Sequence, residues 1–163
     1  MDVLKLRSAW AGLLARPTWD AFLTLTFDRQ RNEPLHAACS ERADRCFRQL
    51  VRYLNDELYG KRFLRTTPHK GLIWARAQEA HMDGVLHYHV CLSSPSIPFP
   101  QLLMMRAKAW WQARYGLARA ERPISQAAVV LYLVKHVSQA TDTAIIDLSH
   151  NYVWLRPRRA GVA

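Results

Sequence analysis

Cysteine is scarce and scattered in this chain. Cys39, Cys46 and Cys91 are odd in number, widely spaced and without a C-x-x-C pair. That argues against both a disulfide framework and a cysteine-built zinc site, and it suits a reduced, cytoplasmic setting. No stretch reaches the roughly 18 apolar residues that a bilayer crossing needs, so no membrane partner is expected. The opening MDVLKLRSAWAGLLARP is amphipathic and lacks the long apolar centre of a signal peptide, so it reads as a helix. A G-x-x-x-x-G-K-S/T phosphate loop is missing too, which excludes a helicase motor within this sequence. Carboxylates are in the minority: 13 Asp and Glu stand against 23 Lys and Arg, a net charge of +10. That imbalance calls for a polyanionic partner, nucleic acid first. No repeat, low-complexity tract or linker divides the 163 residues, half of them hydrophobic, so one domain spanning 1–163 is expected.

What is present alternates between two periodicities. Residues 2–15 read as a helix stopping before Pro17. Phe22 to Phe27, FLTLTF, alternates with threonines on one face and leucines on the other, a strand. Residues 37–58 carry Cys39, Ala43, Cys46, Phe47, Leu50, Val51 and Leu54 at helical spacing, and Gly60 closes that helix. Gly71 to His81 and Val85 to Leu92 read as strands joined by the turn Met82-Asp83-Gly84. A helix follows over 99–115, a short strand from Arg119 to Ile124, and a helix from 126 to about 139 with Ser125 as its N-cap. A last strand is expected near Tyr152-Val153-Trp154. Hairpin, separate strands and helices together predict an α+β fold with a central antiparallel sheet and flanking helices.

The chemistry concentrates first at His87-Tyr88-His89. Strand side chains alternate, so the two histidines share a face and Tyr88 takes the other. Two adjacent imidazoles make a poor core and a good divalent-metal site. The neighbouring strand offers Gln78, Glu79 and His81. A three-residue loop with Gly84 left-handed pairs Glu79 with His87 and puts that carboxylate on the histidine face. An even-numbered loop would bring Gln78 round instead. Two imidazoles and a carboxylate leave coordination positions open for water or a phosphate oxygen, and suit Mn²⁺ or Mg²⁺ better than zinc.

The second concentration lies on the helix from 126. Tyr132, Lys135, His136 and Gln139 fall at i, i+3, i+4 and i+7 as one polar stripe, with Leu131, Val134, Val137 and Ser138 elsewhere, supplying the buried side. A tyrosine hydroxyl titrates near pH 10 and needs assistance as a nucleophile. A lysine one turn away offsets charge developing at phosphorus, and a metal polarises a phosphate oxygen. Those parts suit transesterification of a phosphodiester.

FLTLTF, EAHMDGVLHYHV and YLVKHVSQ, in that order over residues 22 to 139, resemble the three motifs of the HUH-superfamily rolling-circle replication initiators, the Rep endonucleases. In Rep proteins the tyrosine motif follows the histidine motif, as here; in relaxases it precedes it. The resemblance implies His87, His89 and Glu79 as metal ligands, Tyr132 as a single nucleophile and Lys135 as its assistant. Gln139 and His136 depart from the pattern, standing where many members have a second lysine and an aromatic residue. The implied activity is nicking and joining of single-stranded DNA at a replication origin, a strand or hairpin. Tyr132 would take the 5′-phosphate and leave a 3′-hydroxyl, with a separate helicase and polymerase as partners. Alternatives are an HUH transposase, a non-catalytic nucleic-acid-binding module on the same scaffold, and a zinc hydrolase. Arg29, Arg31, Arg62, Arg65, Lys70, Arg156, Arg158 and Arg159 are candidate DNA charges, and Trp19, Trp74, Trp110, Trp111 and Trp154 candidate stacking platforms.

Overall fold

Leu86, Tyr88, Val90 and Leu92 alternate with His87, His89 and Cys91, and the pleat sends the two sets to opposite faces of one sheet. The computed structural model describes residues 3–28, 40–80, 85–135 and 146–152. Within them the strands are β1 (Ala21–Thr26), β2 (Ile73–Ala80), β3 (Leu86–Ser93), β4 (Ala118–Glu121) and β5 (Ile146–Leu148). The helices are α1 (Val3–Leu14), α2 (Ser40–Tyr59), the single turn α3 (Phe63–Thr66), α4 (Gln101–Gln112) and α5 (Gln126–Lys135). The strand order is β4-β1-β3-β2-β5, and every neighbouring pair runs antiparallel. The α+β fold with a central antiparallel sheet is therefore present.

Each sheet face has its own core. On one, Leu23, Leu25, Tyr88, Val90 and Trp74 meet Phe47, Leu50 and Leu54 of α2 and Leu103, Met104 and Trp111 of α4. On the other, Phe22, Ile73, Ala75, Ala77 and Cys91 meet Val129, Val130, Leu133 and Val134 of α5, with Leu14 of α1 and Trp19 beside them. Burying each of the large side chains removes apolar surface worth about 1.5–3 kcal/mol. Arg76 is the exception inside the first core. Its guanidinium lies 4.7 Å from the Phe47 ring centroid and 4.5 Å from that of Tyr88, and it pairs with Asp44 of α2 at 2.9 Å and Asp147 of β5 at 3.0 Å.

Local chemistry sets the ends of the elements. Ser125 Oγ accepts from the Ala128 N–H at 3.0 Å, the N-cap of α5. Gly60, at φ +81°, follows α2 and donates back to the Asp56 carbonyl. Gly116 lets the loop before β4 press on the end of β1: a Cβ there would stand 2.3 Å from the Thr26 carbonyl oxygen.

The tail departs from expectation. The last described strand is Ile146–Leu148, pairing with Ala75–Ala77 of β2, while Tyr152 lies in a turn, packs against Trp19 and donates to the Leu13 carbonyl. Residues 153 and 154 lie outside the described residues, as do 37–39, His81, the turn 82–84, and His136 to Gln139. The buried side of α5 also differs. Leu131 is 66% exposed, and Val129, Val130, Leu133 and Val134 carry the packing. Tyr132 meets Phe22 at the edge of this packing, and Leu131 faces solvent.

Candidate active site

Three strands and one helix converge on the face that carries His87 and His89. Antiparallel register places Thr26 and Thr24 of β1 opposite His87 and His89, and Glu79 and Ala77 of β2 opposite the same two histidines. The Glu79–His87 pairing is the register that a three-residue loop requires. Gln78 pairs with Tyr88 and therefore takes the other face; His81 lies outside the described residues.

Each imidazole has a threonine hydroxyl beside its Nδ1. His87 Nδ1 is 2.8 Å from Thr26 Oγ1. His89 Nδ1 is 3.5 Å from Thr24 Oγ1, and its Nε2 is 3.1 Å from Glu79 Oε2. His89 is only 5% exposed, and its ring stacks parallel to Phe22. Two donors each about 2.1 Å from one divalent ion, at a right angle, stand about 3 Å apart. The Glu79–His89 spacing and the donor types thus fit adjacent ligands of one ion. Among the described residues no three His, Cys, Asp or Glu side chains converge as a ready metal cluster. His87, on the same face with its Nδ1 directed to Thr26, is the remaining imidazole.

Tyr132 reaches this face from α5. Its ring meets His89 edge-on at 4.9 Å between centroids and Phe22 at 5.4 Å. Lys135 Nζ lies 5.9 Å from the Tyr132 ring centroid, as the i, i+3 spacing demands. Burial raises the Tyr132 hydroxyl pKa, and the negative charge of Glu79 raises it further. The phenol is therefore kept protonated, and ionising it needs positive charge nearby. The five predicted residues Glu79, His87, His89, Tyr132 and Lys135 come together on one face. Sequence reading missed Thr24, Thr26 and Phe22 as their supports. The alternation of FLTLTF carried that signal, since its threonines occupy every second position.

Most candidate stacking platforms are core. Trp19, Trp74 and Trp111 are buried, Trp19 donating to the Leu14 carbonyl and Trp111 to that of Thr26. Trp110 stacks on Tyr53. Arg29, Arg31, Trp154, Arg156, Arg158 and Arg159 lie outside the described residues. No described helix is long and apolar enough to cross a membrane.

Comparison with known families matches residues 20–141 to the replication-associated proteins of the ORF2 type. That span runs from the residue before β1 to six residues beyond Lys135 and contains Glu79, His87, His89, Tyr132 and Lys135. Comparisons with curated proteins and with solved structures give no match.

Proposed function

The chain belongs to the ORF2-type family of replication-associated proteins, and from that membership we propose that it is an HUH-type, single-tyrosine endonuclease that nicks and rejoins single-stranded DNA at a replication origin. The observation that carries the proposal is the contact set of His89. One buried imidazole touches both the Glu79 carboxylate, at 3.1 Å, and the Tyr132 ring, at 4.9 Å. A metal-ligand pair and a phenol nucleophile in contact have little use in a purely structural face.

In this reading Tyr132 Oη attacks the scissile phosphorus. The Tyr132 O–P bond forms as the P–O3′ bond breaks, and the proton lost by the phenol is matched by one gained at the 3′-oxygen. The products are a 5′-phosphotyrosine and a free 3′-hydroxyl, and the reverse step rejoins the strand. Lys135 stands one helical turn from Tyr132 and offsets the charge gathering on the phosphoryl oxygens. Thr26 and Thr24 orient the two imidazoles, and Phe22 braces both His89 and Tyr132. His87, His89 and Glu79 would hold Mn²⁺ or Mg²⁺, which when bound would supply Lewis-acid polarisation of the phosphate.

The test is incubation with a single-stranded oligonucleotide library and Mn²⁺, followed by denaturing electrophoresis. A protein–DNA adduct that survives denaturation, needs the metal and disappears in Tyr132→Phe is the expected result. Salt-sensitive binding of wild type and Tyr132→Phe alike, with no adduct across origin sequences, would replace the enzyme by a binding module on the same fold.

A further inference from the structure

On the sheet face away from Tyr132, α2, α3, the loop before β2 and the turn after β5 enclose a pocket of ≈ 260 Å³. Its rim carries Arg48 and Arg52 from α2, Lys61, Lys70 and His150, and no carboxylate lines it among the described residues. Phe63, Leu64 and Trp74 form its apolar walls, with Leu64 left 57% exposed. Arg48 and Arg52 are one turn apart on one helix face; Arg48 Nε pairs with Asp44 at 2.6 Å, outside the pocket.

The pocket is built rather than incidental. Asn55 accepts the Leu72 N–H at 2.7 Å, and Asn151 donates to the carbonyls of His69, Gly71 and Leu72. Between them the loop makes a left-handed turn, with Lys70 at φ +55° and Gly71 at φ +101°. A lysine rarely adopts that conformation. At the floor, Asn151 Oδ1 is buried with no donor among the described residues. A buried acceptor in that state calls for an N–H or O–H from elsewhere.

We propose that this pocket binds a phosphorylated nucleotide: the basic rim takes the phosphate, the Phe63–Leu64 wall takes the base, and the floor offers an acceptor to an exocyclic amino group. Given the function proposed above, the source of that nucleotide is the DNA strand beyond the nick. The pocket thus supplies a second anchor, on the opposite side of the sheet from the chemistry. Its rim lies outside the residues that hold Tyr132, so binding and nicking are separable.

The test measures binding in the Tyr132→Phe background with EDTA present, so that neither cleavage nor metal contributes. The probes are a 30-nucleotide single strand and deoxyadenosine 5′-monophosphate. Arg52→Glu/Lys61→Glu should weaken binding roughly tenfold and flatten the salt dependence by about 0.7 for each phosphate no longer neutralised, whereas Lys108→Glu on α4 should match the parent. Lys70→Gly deletes the ammonium and keeps the backbone that φ +55° requires. It should weaken binding while leaving the melting temperature unchanged or higher, which separates weaker binding from unfolding. Loss confined to the 30-mer assigns the pocket to DNA, and saturable loss with the mononucleotide assigns it to free nucleotide. Parent-like affinity and salt slope for both probes in both variants would overturn the proposal. Failure of the wild type to form a phosphotyrosine adduct would refute the nicking reading alone and leave these binding results standing.

Discussion

Thr26→Val is the most discriminating change at the site, because it alters one atom's hydrogen bonding and little else. Valine keeps the β-branched shape that suits a strand, and the backbone N–H of residue 26 still donates to the Leu117 carbonyl. What disappears is the 2.8 Å contact from Oγ1 to His87 Nδ1. In the proposed site that contact orients the ring with Nδ1 at the threonine, so that Nε2 would be the nitrogen offered to the metal. A net hydrogen bond is worth about 0.5–1.5 kcal/mol, or about 2- to 13-fold in an equilibrium constant; outer supports of metal-bound histidines cost about 10- to 100-fold in metal affinity. Thr26→Val should therefore raise the Mn²⁺ concentration at half-maximal adduct formation about tenfold, with most of the plateau rate recovered at saturating metal. Thr24→Val provides the internal scale. Its Oγ1 is 3.5 Å from His89 Nδ1, at the outer limit of a hydrogen bond, so its effect should be smaller. The assay is adduct formation against Mn²⁺ concentration, paired with calorimetric titration of the metal in the absence of DNA. Equal Mn²⁺ midpoints in wild type and Thr26→Val, or a larger effect at Thr24, would refute the assignment of His87 as a metal ligand oriented by Thr26.

Other outcomes follow from the same geometry. Tyr132→Phe should abolish the adduct while unfolding within about 0.5 kcal/mol of wild type, since the ring contacts with Phe22 and His89 stay and only a part-exposed hydroxyl goes; a retained adduct would move the nucleophile elsewhere. Lys135→Ala should slow nicking about 10²-fold at saturating metal, measured by single-turnover quench, and an unchanged rate would remove Lys135 from the chemistry. Arg76→Leu should destabilise by about 2–3 kcal/mol in denaturant titration, the lower end for a broken buried pair because Asp44 and Asp147 stay part-exposed and regain water. For Asp44, burial alone would raise the carboxyl pKa, but hydrogen bonds and charge from Arg48 and Arg76 outweigh it and hold the pKa below the ordinary value. Its stabilising contribution is therefore present above an unfolded-state pKa of about 3.9 and lost as pH falls through the depressed folded value, so Asp44→Asn should lower stability at neutral pH and flatten the acid limb of the stability curve.

The parts of this molecule that are legible in the sequence are those where one periodicity governs. β3 alternates so strictly that the shared face of His87 and His89 follows from the chain alone, and on any helix the i, i+3 spacing puts Tyr132 and Lys135 one turn apart. Glu79 requires one further fact, the length of a loop, and the pairing of β2 with β3 supplies it. The rest is hidden by non-local effects. The described residues of β5, Ile146–Leu148, pair with β2 and join Arg76 through the Asp147 ion pair, neither of which leaves a local trace. Leu131 reads as buried because it lies off the polar stripe, but α5 packs through Val129, Val130, Leu133 and Val134 against residues of other elements. The role of Thr24 and Thr26 depends on β1 lying beside β3, a neighbour relation between segments distant in the chain.

The position of β3 in the order β4-β1-β3-β2-β5 divides the site into a fixed half and a movable half. Hydrogen bonded on both sides, β3 opens only when the whole sheet opens, so its amides should be among the slowest to exchange with solvent. Tyr132 instead rides on α5, which packs one side on the sheet and leaves Leu131 to solvent, so its amides should exchange by local opening at lower free energy than those of β3. In the proposed reaction a DNA end joined to Tyr132 would ride on a helix at the side of the sheet, while the two imidazoles stay in its central strand. Strand joining as proposed would use that asymmetry, because one DNA end must be carried to another across a site that does not itself dissolve.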